Sequence, residues 1–173
     1  MSSFNSYLYA FGVAEQFLPD EYNLQNNQLT VPNTFVLSRT KNGETLSVYS
    51  DNIWDLSPYL PKCDCRLNFD SWLDNAREND FLYCQIRAEM KKISFALLYI
   101  KSGKSIIKSI EQRHTVLRQF AAIAYRNGCT LQQLFSDVAY MSKVNDAYVG
   151  VSYQKAIHIK AFLTDCFVLQ QQY

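Results

Sequence analysis

Residues 105–171 read SIIKSIEQRHTVLRQFAAIAYRNGCTLQQLFSDVAYMSKVNDAYVGVSYQKAIHIKAFLTDCFVLQQ. Apolar side chains recur here at helical spacing. Ile106, Ile110, Leu117, Phe120, Ala121 and Ala124 make one stripe over residues 105–127, with His114 in it or on its edge. Gly128 then supplies a stop. Thr130-Leu131-Gln132-Gln133 has the form of a capping box: threonine caps the turn and glutamine reaches back to the cap amide. It opens a short helix carrying Leu131, Leu134 and Phe135. A second long helix, over residues 152–171, carries Ala156, Ile159, Phe162, Leu163, Cys166 and Phe167 on its stripe. Helices this short are marginal alone in water, so each stripe needs a partner, and the stretch predicts a compact helical bundle.

Working back from that bundle, residues 70–100 also hold a helical period. Trp72, Ala76, Tyr83, Ile86, Met90, Ile93, Leu97 and Ile100 fall on one face, with Asp70 or Ser71 as cap and acidic residues early, as the helix dipole prefers. The run is long for one globular helix, so a break is expected near Asn79-Asp80 and an end at Ser102-Gly103. Before it, residues 34–39 and 44–49 are β-prone and enclose Thr40-Lys41-Asn42-Gly43. Asn-Gly supplies positive φ cheaply, which predicts a β-hairpin. A hairpin needs covering: Trp54 and Leu56 are expected to pack on it, and residues 66–69 to add a third short strand. Pro58 and Pro61 argue against regular structure between them. Residues 7–13 read equally as strand or helix. The expected class is α+β: a small β-containing N-terminal module, residues 1–75, followed by a mainly helical four-helix bundle, residues 76–173.

The net charge of +1 conceals a division. Residues 1–80 hold five basic against eleven acidic side chains, −6, and residues 81–173 hold twelve against five, +7. Such asymmetry marks a nucleic-acid face on the basic half or two solvated surfaces of opposite sign. Lys101, Lys104 and Lys108 cluster at the start of the first long helix, Arg113 and Arg118 continue along it, and Lys155 and Lys160 lie on the last. These seven are the candidate phosphate contacts. A composition 48% hydrophobic and 14% aromatic suits a globular core rather than disorder. No uncharged apolar run reaches a membrane span, and the N-terminus lacks the basic region of a signal peptide. Five cysteines, odd in number and without framework spacing, fit free thiols in a reducing cytoplasm.

Catalytic signals are sparse. Cys63-Asp64-Cys65 is too tightly spaced for a usual zinc pair and has no second pair, so no metal or other cofactor is expected. His114 and His158 lie inside helices and read as helix-face residues. There is no phosphate loop, nucleophile elbow or His-Glu-x-x-His.

The segments SIIKSIEQRHTVLRQFAAIAY, NGCTLQQLFSDVAYM and GVSYQKAIHIKAFLTDCF follow one another in an order that resembles the core-binding domain of tyrosine recombinases, the phage-integrase family. A helix with leucine, arginine, x, phenylalanine and a tyrosine near its end precedes a short leucine, x, x, leucine helix and a serine-opened helix carrying phenylalanine and leucine. Residues 81–100 take the place of the preceding helix of that SAM-like bundle. The resemblance covers about half the chain. It implies a bundle that clamps one side of a recombination site on double-stranded DNA, beside a separate catalytic domain. That domain's arginine, His-x-x-Arg and late tyrosine are not present: Arg118 stands at the wrong spacing from His114, and Tyr173 is simply the last residue. The expectation is therefore a non-enzymatic DNA-binding module, a fragment or stand-alone piece of a recombinase. The alternative is a protein–protein interaction or assembly module, in which the two oppositely charged halves serve each other or a second copy.

Overall fold

The computed structural model describes residues 3–23, 29–59, 64–73, 79–100 and 106–172. Over these residues the chain is α+β, with short antiparallel strand pairs preceding longer helices. Helix α1 (Ser3–Ala10) buries Phe4 and Leu8, one turn apart; of the ambiguous residues 7–13 it takes in 7–10, and 11–13 are turn and irregular chain. The predicted hairpin forms from β1 (Val36–Arg39) and β2 (Thr45–Val48). Gly43 takes φ 83°, and the Thr40 amide donates to the Glu44 carbonyl at 2.8 Å to close the turn.

A second pair, β3 (Ile53–Asp55) and β4 (Arg66–Asn68), sets Trp54 opposite Leu67 and Asp55 opposite Arg66. A strand forms at residues 66–68 as expected, but it pairs with β3, which has no predicted counterpart, and not with the hairpin. Three residues carry too little alternation to announce a strand, and its partner lies eleven or more positions away. The Asp55 amide donates to Ser47 Oγ at 2.9 Å, which joins the two pairs.

Helix α2 (Phe81–Tyr99) has its N-cap ten residues later than Asp70. Asp80 is its N-cap, accepting from the Tyr83 amide at 3.1 Å, at the place where a break was expected. Residues 70–73 are turn and bend, and the Asp70 carboxylate takes the Arg87 guanidinium at 2.7 Å rather than capping a helix. Ala76 and the Ser102-Gly103 stop lie outside the described residues; α2 itself ends at Tyr99. Its last six residues, from Ser94 on, are all buried, because the strands cover one side and the later helices the other.

Helices α3 (Ile106–Arg126), α4 (Leu131–Ser136), α5 (Val138–Ala147) and α6 (Tyr153–Gln172) complete the chain. The capping box is formed: Thr130 Oγ1 accepts from the Gln133 amide at 3.1 Å and Gln133 Oε1 from the Thr130 amide at 2.9 Å. Gly128, at φ 67°, ends α3. Helix α5 has no counterpart among the predicted elements; of its described side chains Val144 is buried and Tyr140 and Met141 are half-buried against the core. Phe120 of α3 stacks on Phe162 of α6 at 5.6 Å between ring centres. The buried side chains form one continuous cluster. Phe35, Leu37, Trp54 and Phe69 belong to it together with Tyr83, Phe95, Leu117 and Phe162.

Candidate nucleic-acid interface

The seven candidate phosphate contacts fall into three groups. Lys101 and Lys104 lie outside the described residues, and Lys108 is in the first turn of α3 with its side chain outside the description.

Arg113 and Arg118 are spent inside the fold. Arg113 Nε donates to Asp165 Oδ2 at 2.7 Å and ties α3 to α6, with both side chains largely removed from water. An ion pair withdrawn from solvent in this way is costly to break, because the surviving charge stays buried. Arg118 Nη2 donates to the carbonyl of Ser71, so this guanidinium secures the turn after β4. Neither partner was visible locally, since they stand 52 and 47 positions away.

Lys155 and Lys160 are exposed on α6. Five positions apart on a helix places them about 140° apart around its axis, so they flank the helix rather than share a face. Lys155 Nζ stands 5.5 Å from the centre of the Tyr148 ring, whose hydroxyl donates to Gln119 Oε1 on α3 at 3.1 Å. This cation–π contact and the hydrogen bond behind it restrict where the ammonium can sit. On α5, Lys143 is held in the same way over Tyr140 at 5.3 Å. Arg126 and Lys92 are exposed as well, as are the carboxylates Glu111, Asp137 and Asp146. The tyrosine platforms escaped the sequence reading, which counted charges without their supports.

His114 is buried on the inner face of α3. Its Nε2 lies 2.9 Å from the Asn68 carbonyl, so that nitrogen carries the proton and donates. Phe69 closes against the ring edge-to-face at 4.9 Å, and Nδ1 is enclosed without a described partner. Burial pushes its pKa down to about 4, with Arg118 adding to the shift and the Asn68 hydrogen bond opposing it. A histidine so enclosed joins helix to strand and has no substrate-facing nitrogen.

Lys91 is the other buried cation. Its Nζ donates to the Ser50 carbonyl at 2.7 Å and Asn52 Oδ1 at 3.1 Å, joining α2 to the segment between β2 and β3. Burial lowers its pKa, and Arg87 adds to the effect. Cys63 lies outside the description, and Cys65 is buried. Among the described residues no three histidine, cysteine or carboxylate side chains converge as metal ligands, and no helix is long and apolar enough to cross a membrane. Compared with protein-family models, with curated proteins and with solved structures, the chain matches none.

Proposed function

We propose that this chain is a non-catalytic, double-stranded-DNA-binding module of a site-specific recombinase or integrase, working in the cytoplasm. In this reading α2, α3, the α4–α5 pair and α6 are its four-helix, SAM-like core-binding bundle. The observation that carries the reading is the placement of Lys143 and Lys155. Both are solvent-facing cations held over tyrosine rings on adjoining elements of the basic half. Pre-positioned ammonium groups lose less side-chain entropy on meeting phosphates. Lys160, on the other flank of α6, extends the reach, and Lys101, Lys104 and Lys108 complete the set in sequence. Binding of this kind is driven by counterion release and reads little sequence by itself.

The test is anisotropy of a labelled random duplex titrated with the whole chain. With three or four phosphates neutralised, affinity falls roughly 40- to 150-fold between ~50 and ~200 mM salt. Binding indifferent to salt, or no binding at ~50 mM, sinks the reading.

A second reading, a self-associating assembly module, is favoured by one observation. Tyr153 and Ile157, one turn apart on α6, and Val149 in the turn before it leave apolar surface open, at 81%, 46% and 82% exposure. Sedimentation at rising concentration separates it from the first: dimerisation that Tyr153→Glu abolishes, in a chain blind to DNA, puts assembly in front.

A further inference from the structure

Away from these cations, α2, α4, α5 and α6, with Leu29 from the segment before β1, line an open apolar groove of about 540 Å³. That volume lies within the roughly 300–1,000 Å³ of small-molecule sites, which are likewise mostly apolar with few polar groups. Ile93 and Ala96 of α2 form its floor, Phe135 of α4 and Met141 of α5 one side, and Leu163 and Phe167 of α6 the other. The first five are half-buried or buried, and Phe167 stands 59% exposed as the lip.

The polar lining is confined to α2 and α4: Lys92, Gln132 and Ser136. These two helices are pinned together there, because Glu89 Oε2 accepts from the Leu131 amide at 2.7 Å. Glu89 accepts from α4, and Lys92, one turn further along α2 and within Coulombic reach of that carboxylate, is the charged group on the groove wall. Gln132 and Ser136, one turn apart on α4, add neutral hydrogen-bonding groups. The groove thus joins a hydrocarbon-lined trough to a single cation with amide and hydroxyl company.

We infer that this groove binds a single-chain amphiphile with an anionic head, of the class of medium-chain monocarboxylates, its carboxylate on Lys92 and its alkyl chain over Ile93, Phe135 and Leu163. The site is independent of the DNA reading, since it uses none of the seven phosphate candidates. The groove recognises the free monomer rather than a bilayer, because its lining is a trough between helices and not a flat rim.

The probes are dodecanoate and dodecyltrimethylammonium, identical chains with opposite heads, titrated calorimetrically into the whole chain below their micelle concentrations. Dodecanoate binds saturably at one site, and dodecyltrimethylammonium binds at least tenfold more weakly. Decanoate, shorter by two methylenes, binds roughly tenfold more weakly than dodecanoate. Lys92→Glu, an exposed position whose change leaves the fold intact, reverses the order of the two heads. Location is read separately by iodoacetamide: bound dodecanoate slows alkylation of Cys166, which lines the groove, and leaves the half-buried Cys84 on α2 unaffected. Absence of saturable binding, equal affinity for the two heads, an order unchanged in Lys92→Glu, or Cys166 left unprotected each overturns the assignment.

Discussion

The strand-bearing part of the molecule and the α5–α6 end treat polarity in opposite ways. From Asp20 to Lys91 several charged groups are turned onto the chain itself, while Lys41, Glu44, Asp64 and Arg66 stay exposed. Arg39 pairs with Asp20 at 3.0 Å, Asp51 accepts from the Val48 amide at 2.8 Å, Arg87 holds Asp70, and Lys91 is buried among carbonyls. At the other end Lys143, Lys155 and Lys160 face water, and so do Val138, Val149 and Tyr153. The first region spends its side chains on its own architecture; the second leaves both charge and apolar surface unspent. Truncation of a buried side chain in the first region is therefore expected to cost more stability than a change on the exposed surface of the second.

The sharpest way to break this contrast is to remove a side chain from each region. Trp54→Ala, at a fully buried position between Tyr49 and Phe69, costs about 4 kcal/mol in urea unfolding, whereas Val149→Ser, on open surface, stays within about 0.5 kcal/mol. Comparable losses at the two sites would dissolve the distinction.

The next largest effect depends on pH. The folded His114 titrates at about 4, below the ordinary 6.5, so as pH falls the unfolded chain takes the proton first. The contribution is intact above 6.5, is lost progressively toward 4 and is constant below, a total of about 3 kcal/mol. His114→Gln keeps a donor for the Asn68 carbonyl and removes the titration. The difference in stability between the two proteins therefore narrows across that window, measured by denaturation at pH 7 and 4.5. Parallel curves would contradict the placement of the imidazole.

At the seam between the regions of use, Asp165→Leu strands the Arg113 guanidinium and costs about 2 to 3 kcal/mol, while Arg113→Met with Asp165→Leu recovers most of it. Recovery in the double variant distinguishes a buried pair from a surface one. Smaller again, Thr130→Ala removes half of the capping box and costs about 1 kcal/mol, read as a lowered melting temperature. Least of all, Lys155→Glu with Lys160→Glu changes stability by under about 0.5 kcal/mol, since both are solvent-facing.

What could be read beforehand follows the range of the interactions involved. The Asn42-Gly43 turn, the Gly128 stop and the Thr130 capping box are local, and each is found where its own few residues place it. The stripe of α3 was legible because Ile110, Leu117, Phe120 and Ala124 repeat at helical spacing; that of α6 holds at Ile159, Phe162, Leu163 and Cys166, while Ala156 and Phe167 are exposed. Strand β3 was not legible, because its identity depends on β4. Helix α5 was not, because its inner face of Tyr140, Met141 and Val144 spans barely one turn and Val138 and Ala139 before it are exposed. The candidate site suffered most from distance. Arg113 and Arg118 carry the composition of phosphate contacts, yet Asp165 and the Ser71 carbonyl claim them, and no local pattern announces a partner about fifty residues away. Lys155 differs in that its supporting ring, Tyr148, stands only seven positions earlier and leaves the ammonium exposed.

The most direct measurement compares two charge reversals of equal size, one in each region, on random duplex DNA at ~50 mM salt, where phosphate contacts are weakly screened. The first is Lys155→Glu with Lys160→Glu on α6. The second is Lys41→Glu with Arg66→Glu, two exposed cations of the strand-bearing part. The account predicts that the first pair lowers affinity tenfold or more and the second leaves it nearly unchanged. An equal fall for both, which a simple change in net charge produces, would contradict a DNA face on the helical end.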